Sequence, residues 1–181
     1  MATATKTRWK IDPSHSEVQF KVKHLVISTV TGSFGTYDAT VETEGKTFEG
    51  ADVYFEADIN SISTNNEDRD NHLKSDDFFN AEKHPKLTFE STSVEKTGDD
   101  KYTITGDLTI RGTTKEVELK AVHGGTVEDP YGQTKAGFEI TGTVNRKEFG
   151  LEWDAVTEAG NVVVGDKVKL MLNVQFIQQE G

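Results

Sequence analysis

At 181 residues, 34% of them hydrophobic and 28% charged, with ten Phe, the chain is long enough for one domain with a sizeable core and too aromatic for a disordered segment. A formal net charge of -11 without any run of Lys or Arg works against phosphate backbones and anionic headgroups, so nucleic acid is not an expected partner. No cysteine is present, which excludes disulfides, thiolate zinc sites and thiol nucleophiles.

Met1 to Arg8 lacks the apolar run of a signal peptide, and no later stretch is long enough to span a bilayer. The chain as written is therefore expected in the cytoplasm without stable membrane insertion, or in the periplasm if a leader was removed. Period-two alternation then dominates. Val18, Phe20, Val22 and His24 share one face while Glu17, Gln19, Lys21 and Lys23 share the other. Around Phe34 to Thr43 the phase shifts between Phe34 and the set Tyr37, Ala39 and Val41, which predicts a bulge at Gly35. Val53, Phe55, Ala57 and Ile59 align next.

Residues 62 to 85 break the pattern. Thr64-Asn-Asn-Glu67 fits a capping box, so a short helix is predicted within residues 64–80, and His84-Pro85 returns the chain to extended geometry. Leu87, Phe89 and Ser91 open another strand. Further sets follow: Tyr102, Ile104, Gly106, Leu108 and Ile110; Val117, Leu119, Ala121 and His123; Ala136, Phe138, Ile140, Gly142 and Val144; and, beyond an irregular stretch from Asn145 to Gly160, Val168, Leu170, Leu172, Val174 and Phe176. Turn residues at Glu44-Gly45, Gly98-Asp-Asp100, Arg111-Gly112 and Asp129-Pro-Tyr-Gly132 separate them.

About eight one-sided strands without crossover helices predict an all-β, antiparallel, single-domain protein over residues 1–181, either a sandwich or a barrel. The dry faces carry many small residues, namely Ala57, Ser91, Gly106, Ala121, Ala136 and Gly142. Small residues pointing inward either taper a filled core or leave room for a ligand.

Catalytic and metal chemistry find little support. His24 and His123 fall in phase with apolar residues, as core or rim histidines do, and His72 and His84 share no compact ligand spacing. There is no Gly-x-Ser-x-Gly elbow and no Walker or Rossmann loop. Adjacent Asp76 and Asp77 diverge as neighbours do. No catalytic residue, metal ligand or cofactor is assigned.

The order Arg69, His72-Leu73, Asp77-Phe78-Phe79, Pro85 and Phe89 resembles the signature of the YceI-like family of bacterial lipocalin-like barrels. The resemblance runs over nearly the whole chain, through Trp9-Lys-Ile-Asp-Pro-Ser-His-Ser16, Val30-Thr-Gly-Ser-Phe34, Gly106-Asp-Leu-Thr-Ile-Arg-Gly112, Asn145-Arg-Lys-Glu-Phe-Gly150 with Trp153, and Val164-Gly-Asp-Lys-Val168. It implies an extended lipocalin-like barrel that binds a polyisoprenoid or similar amphipathic lipid, commonly as a homodimer. Many relatives carry an export signal, which this sequence does not show.

That resemblance favours an open lumen. Its expected lining is Phe20, Phe34, Phe55, Phe89, Ile104, Leu108, Phe138, Ile140, Leu170 and Leu172, with His24 and Trp153 as further contacts. Arg69, His72 and Arg146 flank irregular segments and are candidates for a polar head, unless the arginines merely pin those loops through Asp76, Asp77 or Asp154. Phe78 and Phe79 either anchor the helix into a barrel end or gate it. The expected role is a non-catalytic carrier of a polyprenyl or isoprenoid-quinone type of lipid. The alternatives are an enzyme acting on such a lipid through His24 or His72, and a packed barrel that serves only as an interaction protein.

Overall fold

Each predicted alternating segment forms a strand, and the strands join into one antiparallel sheet that closes on itself in a computed structural model describing residues 6–24, 28–44, 47–76, 78–151 and 164–179. The strands are β1 (Lys6–Ile11), β2 (Glu17–His24), β3 (Ser28–Phe34), β4 (Tyr37–Glu44), β5 (Asp52–Asp58), β6 (Ile62–Ser63), β7 (Lys86–Gly98), β8 (Lys101–Ile110), β9 (Thr113–Glu128), β10 (Thr134–Asn145) and β11 (Val164–Gln178). Pairing runs β1-β4-β5-β7-β8-β9-β10-β11 and returns to β1, a ring of eight strands; β2, β3 and β6 extend it from the other half of β11. The barrel expected from the sequence is the observed fold. Among the described residues no helix is long and apolar enough to cross a membrane.

Three wall strands are broken at neighbouring points. The first breaks at a 3₁₀ turn, Pro13–His15, between β1 and β2; the second at Gly35 and Thr36, where the sequence predicts a bulge; the third at a 3₁₀ turn, Ile59–Ser61, between β5 and β6. Backbone and side-chain bonds stitch the breaks together. Tyr37 Oη donates to the Ser16 carbonyl at 2.8 Å, Gly35 N to the Ser61 carbonyl at 3.1 Å and Asp58 N to the Thr36 carbonyl at 2.9 Å. Satisfying the interrupted ladder in this way lets the wall bend without orphaning buried peptide groups. Strand β11 passes the bend unbroken. It pairs with Ile11 through Phe176 and with Glu17 through Asn173, while Asp12 N donates to the Gln175 carbonyl across the gap at 2.8 Å.

Beyond the bend the wall is open on one side. β6 pairs with β3 alone, through Ser33↔Ser63 and Phe34↔Ile62, and the β5–β7 ladder ends at Asp58↔Lys86. Helix α1 (Glu67–Lys74) follows, and Leu73 with Phe78 and Phe79 after it packs against the core and lines a cavity there. The helix starts later than the capping box predicts. Asn66 is the N-cap and accepts from Arg69 N at 3.0 Å, while Asn65 takes a left-handed φ of 62°. Thr64 is buried and used elsewhere: its hydroxyl donates to Asp70 Oδ1 at 2.6 Å and accepts from Arg69 Nε at 2.8 Å.

The first break is held by one carboxylate. Asp12 accepts from His15 Nδ1 at 2.7 Å, from Ser14 Oγ at 2.7 Å and from Ser14 N at 3.1 Å. The His15 and Ser14 side-chain bonds pull its pKa down from 3.8 to about 2. A lowered native value stabilises the fold above the unfolded pKa, and the benefit fades as pH falls through the native one. Asp12→Asn is expected to cost about 1–2 kcal/mol at pH 5, His15 being well solvated. The cost should shrink as pH falls toward 2. Urea unfolding of both proteins across that range measures it; an equal loss at every pH would remove Asp12 as the acid-sensitive group.

Candidate functional site

Inside the barrel lie three apolar chambers in file, with volumes counted as the room for the centre of a water-sized sphere. The first, about 40 Å³, is lined by Phe48, Tyr102, Phe138 and Phe176 among others; the middle one, about 100 Å³, by Phe55, Phe89, Leu108 and Leu172; the third, about 100 Å³, by Phe78, Phe79, Arg146 and Phe149. Neighbouring chambers share walls. Ile104, Ile140 and Phe176 border the first two, and Phe20, Phe34 and Leu170 border the last two. β11 orders them: Phe176, then Val174 and Leu172, then Leu170, then Val168. From Val168 to Phe176 that is roughly 26 Å of strand at about 3.3 Å per residue.

The lining is almost wholly hydrocarbon. Gln19, Tyr102 and Arg146 are the described lining residues with polar side-chain atoms. Phe55, Ile140, Leu170 and Leu172 face inward yet are only partly buried, because their uncovered surface borders the chambers. An apolar surface of this kind, enclosed but not packed, is what a hydrophobic ligand would cover.

Most of the small inward residues do not border the chambers. Ala57 and Ala136 are fully covered by neighbours, Ser91 Oγ accepts from Val53 N at 2.8 Å, and Ala121 lines the first chamber. A Cβ at Gly32 would lie 2.2 Å from Phe20 Cζ, one at Gly106 2.6 Å from Phe89 Cζ, and one at Gly142 2.3 Å from Leu119 Cδ2. These glycines are recesses into which larger side chains lie back against the wall. Of the two readings open for the small residues, a tapered core or ligand room, the three glycines follow neither simply: their places are taken by larger side chains laid against the wall.

Thirteen predicted contacts meet in the lumen: Phe20, Phe34, Phe55, Phe78, Phe79, Phe89, Ile104, Leu108, Phe138, Ile140, Arg146, Leu170 and Leu172. Arg69 is turned to Thr64, donating to its carbonyl at 2.6 Å as well as to its hydroxyl, and does not line a chamber. His72 stands behind the wall, its ring edge-on to Phe78 with centroids 5.1 Å apart. Trp153, Asp77, Asp154 and the side chain of His24 lie outside the described residues. His123 sits at the opposite end, stacked on Phe138 at 4.9 Å with Nε2 2.9 Å from Thr126 Oγ1. Among the described residues no group of three His, Cys, Asp or Glu could hold a metal ion.

Arg146 is 5% exposed, and carbonyls occupy much of its donor fork: Nε donates to Gly165 at 2.8 Å and Nη1 to Leu151 at 2.7 Å. Its guanidinium lies 5.9 Å from the Phe78 ring centroid, and Asp166 stands 3.9 Å away. It thus ties the 3₁₀ turn Arg146–Phe149 to β11 beneath the third chamber. Asp76 is bonded to neither predicted arginine. Its partner is Arg111, in the tight β8–β9 turn with a left-handed φ of 52°, which donates to the Asp76 carboxylate at 2.6 Å, to the Asp76 carbonyl, and to the Phe78 carbonyl at 2.8 Å. Sequence reasoning reads Arg111-Gly112 as a turn only, and nothing local shows what the arginine reaches. Phe48, Leu73 and Phe149, likewise from irregular segments, are lining residues without a periodic signal, whereas Val18, Val174 and Phe176 stand in the alternating sets.

A family model described as the YceI-like domain matches residues 9–176. A UPF0312 protein of Pectobacterium atrosepticum is 37% identical over 179 residues, covering 99% of this chain and 90% of that one. The crystal structure of a Campylobacter jejuni YceI protein is 32% identical, covers 99% of this chain and 100% of its own, and superposes with a TM-score of 0.72. A polyisoprenoid binding domain from Saccharophagus degradans, implicated in plant cell wall breakdown, is 12% identical with a TM-score of 0.66 over 98% of this chain and 100% of its own.

Arg111→Gly keeps the left-handed turn but deletes the clamp on the segment that closes the third chamber. The expected result is a loss of about 1–3 kcal/mol and faster hydrogen exchange at the Phe78 and Phe79 amides, which bond to the Ser75 and Leu73 carbonyls. Exchange unchanged at both would show that the clamp does not hold them.

Proposed function

The chain belongs to the YceI-like family, and from that premise we propose that it is a non-catalytic carrier whose lumen holds a long isoprenoid chain, of polyprenyl or isoprenoid-quinone type. The observation that carries the reading is the file of three chambers, whose partly uncovered apolar walls run along β11 from Val168 to Phe176. The shared fold with a domain described as polyisoprenoid binding supports the ligand class.

Burial of hydrocarbon accounts for affinity without a charged contact. Each methylene taken from water contributes roughly 0.8 kcal/mol, so a five-carbon unit contributes about 4 kcal/mol before the costs of ordering the chain. The net charge of -11 opposes anionic membranes but leaves a neutral lipid unaffected.

Detergent-free protein analysed by native and then denaturing mass spectrometry is expected to release a lipid in near-equimolar amount. The same spectra report whether the homodimer implied by the family forms. Leu170→Trp, placed at the wall between the second and third chambers, should stay folded and lose that lipid. A bare wild-type mass that added polyprenol or quinone does not shift would end the carrier reading.

A further inference from the structure

We propose that Phe48 is the stop that closes one end of the lumen and so limits how long an isoprenoid chain the protein can enclose. The inference rests on the carrier reading and adds to it the residue that determines chain length.

Phe48 belongs to no strand. It lies between the end of β4 at Glu44 and the start of β5 at Asp52, and its ring packs among rings from four wall strands: Trp9 of β1 at 5.4 Å, Tyr102 of β8 at 6.4 Å, His123 of β9 at 5.2 Å and Phe138 of β10 at 4.9 Å. In the closed ring of eight, β1 and β8 are four strands apart in either direction. A side chain packed against both stands across the barrel rather than along its wall. Its contacts with Tyr102, His123 and Phe138 are edge-on, an arrangement that aromatic pairs favour. The backbone beside it is tied to β7: Gly50 N donates to the Val94 carbonyl at 2.8 Å, and the Glu49 carboxylate accepts from Lys96 N at 3.1 Å.

Position in the file gives the ring its consequence. Phe48 lines the first chamber and neither of the others, and that chamber is the smallest, at about 40 Å³. The lining goes no further along the wall: it ends on β11 at Phe176, on β10 at Phe138 and on β8 at Tyr102. Trp9 and His123 pack on the same ring and line no chamber, so the ring marks the boundary of the enclosed space. A chain that passes from the middle chamber between Ile104, Ile140 and Phe176 therefore meets Phe48. Hydrophobic stabilisation follows the apolar area removed from water. Affinity should rise with each isoprene unit until the chain reaches Phe48, and then stop rising.

The probes are linear prenols from farnesol to solanesol, each one isoprene unit longer than the last. They are competed in neighbouring pairs for delipidated wild type, Phe48→Ala and Phe48→Leu, and the bound species are weighed in native mass spectra. In wild type the preference for the longer member of a pair is expected to vanish at one chain length. Phe48→Ala should move that limit up by at least one unit and favour the longer member of the wild-type limiting pair roughly tenfold, the gain from covering about two more methylenes. Phe48→Leu should shift it in the same direction by a smaller factor, and decides the matter if Phe48→Ala fails to fold. A limit that is the same in wild type and the folded variants, or a wild-type preference that keeps rising through solanesol, overturns this inference and leaves the carrier reading standing. Absence of binding by every prenol in wild type overturns the two together.

Discussion

Strand β11 holds the molecule together. Its fifteen residues pair with β10 along one edge and, along the other, with β2 in one half and β1 in the other. Because it crosses the bend unbroken, both parts of the wall keep a common register. Its alternation then places Phe176, Val174, Leu172, Leu170 and Val168 in sequence down one lumen. A one-residue slip would turn that whole face outward, which is why a half-buried strand is so strongly specified.

What keeps the lumen from collapsing is a set of recesses. An eight-stranded barrel is just wide enough for its own side chains to fill, so rings standing upright would close it. At Gly32 and Gly106 the missing Cβ lets Phe20 and Phe89 lie into the wall of the neighbouring strand. Gly142 does the same for Leu119. The cost in backbone entropy is exchanged for aromatic surface laid along the cavity rather than across it.

Three arginines follow a single physical rule. A guanidinium withdrawn from water, wholly or in part, requires acceptors for its fork, and backbone carbonyls of irregular segments need donors. Arg69, Arg111 and Arg146 each meet both requirements, at Thr64, at Asp76 with Phe78, and at Leu151 with Gly165. Their positive charge is spent on fixing the non-sheet cover of the third chamber. The described lining of that chamber is otherwise hydrocarbon.

Local pattern determined most of the strands, their inward faces, the described hairpin turns and an irregularity at Gly35, because period-two alternation and turn chemistry act between near neighbours. Most of the lumen was legible for the same reason, from Phe20 to Leu172, once the faces were read and the family motif tipped sandwich toward barrel. Tertiary structure alone decided which recess each ring enters, which carbonyls Arg111 and Arg146 reach, and that Asn66 rather than Thr64 caps α1. Arg111 and Asp76 are 35 residues apart, and Gly106 and Phe89 meet across a ladder. Such contacts depend on how closed strands stack and bend, and no window along the chain contains both partners.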